Sequence, residues 1–160
     1  MIEMVVHGIT LDPVSQMPIV ILKARDNEEV ILPIWIGAFE ANGIAMKLQD
    51  VTPPRPMTYE LLTNIIRDMG GEVEKVVIND LRESTYYAEI HIRQREKLIV
   101  IDSRPSDAIN IALRFEAPIY VSEETLEKSK VPAPEEDIEK EKLREWLESI
   151  KPEDFEMGKS

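Results

Sequence analysis

The chain has no cysteine and only two histidines, His7 and His91. Without thiols there can be no disulfide, no thiolate zinc site and no cysteine nucleophile, and this usage suits a reducing compartment. Two histidines are too few for a histidine-rich metal centre. Any metal would be held mainly by oxygen, which favours magnesium, manganese or calcium over zinc. Glycine is scarce, 6 residues in 160, and forms no phosphate loop, which argues against a nucleotide cofactor. No Gly-x-Ser-x-Gly elbow occurs, so Ser103 and Ser106 read as helix-capping residues rather than nucleophiles. No apolar run approaches a membrane span, and Met1-Ile2-Glu3-Met4 lacks a basic leader region. The expectation is a cytoplasmic protein with no membrane partner.

Positive charge is also in deficit. Lys and Arg number 19 against 31 Asp and Glu, a net of −12. Residues 122–160 hold 13 acidic and 7 basic side chains, a net of −6, so the other half of the excess lies in the preceding residues. Such repulsion opposes polyanion binding unless arginines cluster locally or divalent cations screen the carboxylates.

What is present is enough for one ordinary domain, since 43% of the residues are apolar. Strands are expected at Val5–Leu11, Ile19–Ala24 and Val30–Ile36, followed by a helix to about Gln49 with Ala41, Ile44, Ala45 and Leu48 on one face. Pro53 to Pro56 form a rigid linker. Thr58 then caps a second helix whose apolar face is Leu62, Ile65, Ile66 and Met69, closed by Gly70-Gly71. Strands at Val73–Leu81, Thr85–Ile92 and Leu98–Ile101, a helix at Pro105–Phe115 and a short strand at Pro118–Val121 complete the pattern.

The order repeats. Glu40-Ala41-Asn42-Gly43-Ile44-Ala45-Met46-Lys47 aligns with Asp107-Ala108-Ile109-Asn110-Ile111-Ala112-Leu113-Arg114, an offset of 67 (107 − 40). The shared pattern is acid-Ala-x-x-Ile-Ala-apolar-base. It predicts an α+β fold of internally duplicated β-β-β-α units with a mainly antiparallel sheet, an extra helix between the units and a C-terminal helix. The expected division is residues 1–125 as the domain, with repeats at about 1–50 and 70–121, and residues 126–160 as an acidic linker and amphipathic helix. Ile138, Leu143, Trp146, Leu147 and Ile150 form that helix's stripe, which would pack on the domain or on another subunit of a homo-oligomer such as a dimer.

The sharpest chemical signal is Asp102-Ser103-Arg104-Pro105-Ser106-Asp107-Ala108-Ile109, where a strand ends and a helix begins. Polar side chains there meet unpaired helix N–H groups, which suits an anionic ligand or a carboxylate-held metal. Pro53-Pro54-Arg55-Pro56-Met57-Thr58-Tyr59-Glu60 repeats the theme of an arginine between prolines ahead of a helix.

With Leu32-Pro33-Ile34-Trp35-Ile36-Gly37, Glu40-Ala41, Thr85-Tyr86-Tyr87-Ala88 and Ala117-Pro118-Ile119-Tyr120-Val121, these segments occur in the order found in the bifunctional nuclease domain. The chain resembles that family over roughly residues 1–125. The resemblance implies nuclease activity on DNA and RNA, as attributed to plant members, and brings no settled mechanism. One departure concerns the segment after Pro-Arg-Pro: where members commonly have Thr-His-Asp, this chain has Thr58-Tyr59-Glu60. A histidine acting as base or metal ligand would be missing, because tyrosine is a poor base at neutral pH.

Metal-assisted phosphodiester hydrolysis needs carboxylates to hold ions and cations to steady phosphate. Asp107, Asp102, Glu60 and Glu40 are the candidate catalytic residues, and Asp102, Asp107 and Glu40 the candidate ligands for magnesium or manganese. Arg55, Arg104, Thr58, Ser106 and Tyr59 are the candidate substrate-binding residues, with guanidinium suited to phosphate. The structural alternatives are plain. Asp107 would sit at a helix start, Asp102 would fix a turn, and Arg104 would bridge carboxylates between the repeats. No Asp-x-Lys or Glu-x-Lys triplet occurs, against a restriction-enzyme type of core. His91, alternating with Ile90 and Ile92, reads as a sheet-surface residue. Trp35, Tyr86, Tyr87 and Tyr120 could stack bases, but alternation in strands favours packing. Two functions remain: a nuclease, or a non-catalytic binding or regulatory module that presents its arginine-proline edge.

Overall fold

Ile19-Val20-Ile21-Leu22 is an unbroken apolar run, and a strand of that kind is buried on both faces. The computed structural model, which describes residues 1–130 together with Trp146 and Leu147, places it so. The elements run β1 (Ile2–Leu11), β2 (Pro18–Ala24), β3 (Asn27–Trp35), α1 (Ala38–Leu48), α2 (Thr58–Asp68), β4 (Gly71–Arg82), β5 (Thr85–Gln94), β6 (Lys97–Ser103), α3 (Pro105–Phe115), β7 (Ile119–Val121) and α4 (Glu123–Ser129). One seven-stranded sheet has the order β3-β2-β1-β7-β4-β5-β6. All its pairs are antiparallel except β4 with β7.

This is the expected α+β fold. β1–β3 with α1 and β4–β6 with α3 form two like units, and α2 is the helix between them. The short β7 joins them, antiparallel to β1 and parallel to β4. α1 and α3 lie side by side on the same face of the sheet. Ala41, Ile44 and Ala45 from one helix and Ala108, Ile109, Ile111 and Ala112 from the other enter one buried cluster. The alanines let the helices approach closely.

The repeat equivalents meet. Gly43 corresponds to Asn110, and a Cβ at Gly43 would stand 2.6 Å from Asn110 Oδ1 and 2.8 Å from the Tyr59 ring. Asn110 is fully buried and donates through Nδ2 to the carbonyls of Glu40 (3.0 Å) and Ser106 (2.9 Å). A glycine-to-alanine change inside a helix ordinarily stabilises by about 1 kcal/mol. Here the sign should reverse. Gly43→Ala is expected to cost about 1–3 kcal/mol by overpacking. A melting temperature at or above that of the parent would refute the close approach of α1 and α3.

Three features differ from the sequence reading. Thr58 is the first helical residue of α2, not its cap. Met57 occupies that place, and the Met57 N–H donates to Glu60 Oε1 at 3.2 Å. The apolar face of α2 was expected to pack, yet Leu62, Ile65 and Met69 are exposed and Ile66 alone of the four packs on the core. Helical periodicity identifies a face but not what covers it. α4 was not anticipated; Ser122 caps it by accepting from the Thr125 N–H, and it buries Thr125 and Leu126.

Leu147 is buried against Ile19, Ile21 and Ile31, with Trp146 beside it, so this part of the C-terminal stripe packs on the chain's own β2 and β3. Ile138, Leu143 and Ile150 lie outside the described residues.

Candidate functional site

The first turns of α1, α2 and α3 meet at one place. Arg104 is the N-cap of α3, Asp107 lies in its first turn, Glu40 in that of α1 and Tyr59 in that of α2. Arg104 Nε donates to Asp107 Oδ2 at 2.8 Å. Its Nη2 donates to Asp107 Oδ1 at 3.1 Å and to Glu40 Oε1 at 3.0 Å. The Tyr59 hydroxyl donates to Asp107 Oδ1 at 2.6 Å. Arg104 therefore bridges equivalent carboxylates of the two units, as its structural alternative predicted. The pseudo-symmetry breaks at the arginine itself, because its equivalent in the first unit is Gly37.

A second cluster supports the first from beneath. Arg114, with its side chain 7% exposed, donates through Nε to Glu60 Oε2 at 2.6 Å. Its Nη1 donates to the carbonyl and Oδ1 of Asn110, both at 3.1 Å, and its Nη2 to the Gly43 carbonyl at 3.1 Å. The guanidinium also lies 5.2 Å from the centre of the Tyr59 ring. One side chain thus ties α1, α2 and α3 together.

Both clusters border an open pocket of about 820 Å³, which also takes in Phe39, Met57, Thr58, Tyr86, Ile101 and Asp102. Its charged lining is Glu40, Glu60, Asp102 and Asp107 against Arg104 and Arg114, a net of −2 (2 − 4). Helix N-termini offset part of that negative charge.

The candidate residues divide accordingly. Glu40, Tyr59, Arg104 and Asp107 converge in one hydrogen-bonded group. Glu60 lines the pocket but is engaged by Arg114 and the start of α2. Thr58 lines it and is exposed. Asp102 stands opposite Glu89 in the sheet, while Ser103 stands opposite the buried Ala88. Asp102 thus belongs to the other face of β6, at the rim, where its charge acts on Arg82. Ser106 is buried and does not line the pocket. Arg55 is exposed and lies outside it, two residues before Met57.

The expected metal ligands Asp102, Asp107 and Glu40 do not form one ligand set in this arrangement. Asp107 and Glu40 share the Arg104 guanidinium, which takes the place a cation would occupy, and Asp102 points elsewhere. Among the described residues, no three Asp, Glu or His side chains are placed to hold an ion. His91 sits beside Glu89 on the outer face of β5, away from the pocket.

Burial, reinforced by the hydrogen bond to Asp107 and the charges of Asp107 and Glu40, raises the Tyr59 pKa well above 10. Tyr59 is accordingly a proton donor that holds Asp107, not a base. The sign for stability follows. A folded-state pKa above the unfolded value gives stability that is complete below about pH 10 and declines as pH rises beyond it. Tyr59 should therefore resist ionisation in an alkaline absorbance titration. The difference between the parent and Tyr59→Phe should isolate that resistant group. A difference that ionises near pH 10, about the ordinary tyrosine value, would contradict the buried hydroxyl.

Sequence reasoning missed Arg114, Asn110 and Gly43. The signal was there: a polar Asn110 among apolar helix positions, and an arginine at the basic position of the repeat. Phe39 was also missed, having no partner in any motif.

The fold is a duplicated α+β sheet with a polar pocket at the starts of three of its helices. The chain belongs to the bifunctional nuclease domain family, whose match spans residues 20–134. It is 37% identical to an uncharacterized protein of Mycobacterium tuberculosis H37Rv, over 96% of this chain and 97% of that one. It is 32% identical to Bifunctional nuclease 2 of Oryza sativa subsp. japonica, over 72% of this chain and 36% of the rice protein. It is 30% identical to Bifunctional nuclease 2 of Arabidopsis thaliana, over 64% of this chain and 32% of that protein. Among the described residues no helix is long and apolar enough to cross a membrane.

Proposed function

We propose that this chain hydrolyses phosphodiester bonds of DNA, RNA or both at the pocket where α1, α2 and α3 begin. The observation that carries the reading is the convergence of Glu40, Tyr59, Arg104 and Asp107 in one hydrogen-bonded group on the wall of an open pocket. Arg104, its side chain 64% exposed, faces solvent as well as its two carboxylates and is placed to meet a phosphate oxygen. Asp107 is the acceptor for the proton of an attacking water, held in position by Tyr59. Arg55, near the pocket and exposed, is a second guanidinium for the strand leaving it.

Magnesium or manganese remains a variable of this proposal, since an ion would have to displace Arg104 from between Glu40 and Asp107. No step is assigned to it. The same observation favours the second reading, a pocket that binds without cutting. Self-association also belongs to the proposal, now on exposed Leu61, Ile65 and Met69 of α2, because Trp146 and Leu147 are spent on the chain's own sheet. Sedimentation velocity showing a monomer would remove it. A cytoplasmic location is proposed from the absence of cysteine.

The decisive assay follows single-stranded DNA and RNA with purified protein, with each metal and with chelator. Activity should track the protein through two unlike columns and be lost in Arg104→Ala at unchanged secondary structure. Activity that separates from the protein, or that persists in Arg104→Ala, would defeat the reading.

A further inference from the structure

The pocket has a polar half and an apolar half. Glu40, Tyr59, Arg104 and Asp107 form the first. Phe39, Met57, Tyr86 and Ile101 contribute to the second. Phe39 is 90% exposed, and Met57 and Ile101 are about half exposed, although all border the pocket. α1 is anchored by Ala41, Ile44 and Ala45, so the Phe39 ring contributes nothing to its packing. A flat aromatic face in water at a pocket rim is suited to stacking.

The lining charge decides which part of a nucleic acid can enter. A phosphate inside would meet the carboxylates of Glu40, Glu60 and Asp107 and two guanidinium groups, both of which already serve those carboxylates. An uncharged heterocycle with N–H donors would instead meet apolar walls, an aromatic face and carboxylate acceptors. A pocket of about 820 Å³ has room for a base and its sugar.

We propose that the apolar half is a nucleobase site. Phe39 stacks on an unpaired base turned into the pocket, and carboxylate oxygens accept from its ring and amino N–H groups. The phosphodiester stays at the mouth beside the exposed edge of Arg104. Unpaired strands are then the ligand class, because a paired base would first have to be unstacked and extruded. The proposal rests on the hydrolase reading only for what happens to the strand after binding.

The test is fluorescence anisotropy on the full chain in chelator, with three oligonucleotides of equal length: a single strand, its duplex, and an abasic strand on the same backbone. The single strand should bind about tenfold tighter than either of the others. Phe39→Ala should lose about that factor, Phe39→Trp should keep it, and both should melt like the parent because the residue is exposed. Equal binding of the abasic and normal strands overturns the proposal, as does a Phe39→Ala variant that binds normally. A dimer that Phe39→Ala converts to monomer, with no strand bound by either, overturns it in favour of a second copy covering the rim. Hydrolysis is read separately. Base-dependent binding without cleavage supports the base site and removes the hydrolase reading. Cleavage of abasic and normal strands alike does the reverse.

Discussion

Arg114→Met is expected to lower the stability of the protein by about 3–5 kcal/mol. The substitution keeps much of the stem's volume, so the loss is of donors rather than of packing. It strands the Glu60 carboxylate, the Gly43 carbonyl and Asn110 Oδ1 at the meeting of three helices. An unmade bond to a buried acceptor costs more than a made one contributes. Against a total of roughly 5–15 kcal/mol the change is large, and for a chain of this size it corresponds to a fall in melting temperature of roughly 6–20 °C. Glu60→Gln should cost less, because its side chain is 24% exposed and water can replace part of what is lost. The double variant should cost less than the sum of the two, since they share one bond. Thermal melts followed by circular dichroism measure all three. A fully additive pair would show that Arg114 and Glu60 do not act together.

Asp107→Asn is expected to reduce strand cleavage by about 10²- to 10⁴-fold, the range for a lost general base. Asparagine can still accept from the Tyr59 hydroxyl, but its amide group opposes the Arg104 guanidinium, donor against donor. Asp102→Asn is the control. It lies at the rim on the other face of β6, outside the Arg104 network, and should leave cleavage nearly unchanged. Initial rates on single-stranded DNA and RNA, with melting temperatures measured in parallel, separate chemistry from folding. If Asp102→Asn abolishes activity and Asp107→Asn does not, the centre lies outside the cluster described here.

Most of the fold was legible because it depends on local patterns. The duplication offset of 67 brought out α1 and α3, and the bounds of α3 agree with the sequence reading at both ends. The polyproline segment correctly preceded α2. The position of β7 between β1 and β4 was not legible, because three residues carry no signal of their partners. α4 was hidden by its acidic composition. At the site, Glu40, Arg104 and Asp107 were recognised from motif and repeat, but their mutual contacts were not. Asp102 was grouped with Asp107 because both lie in one short motif. The alternation of β6 turns Asp102 away, whereas α3 carries Asp107 inward.

The amino-acid order alone determined the strand and helix sequence, the duplication, the acidic balance and the residue types available for chemistry. These follow from period, turn propensity and composition, which act over a few neighbouring residues. Only the tertiary structure decided that Arg104 lies between Glu40 and Asp107, that Arg114 locks three helices, and that Phe39 stands in water at the pocket rim. Each joins elements far apart in the chain or depends on what fails to cover a surface, and neither leaves a local trace.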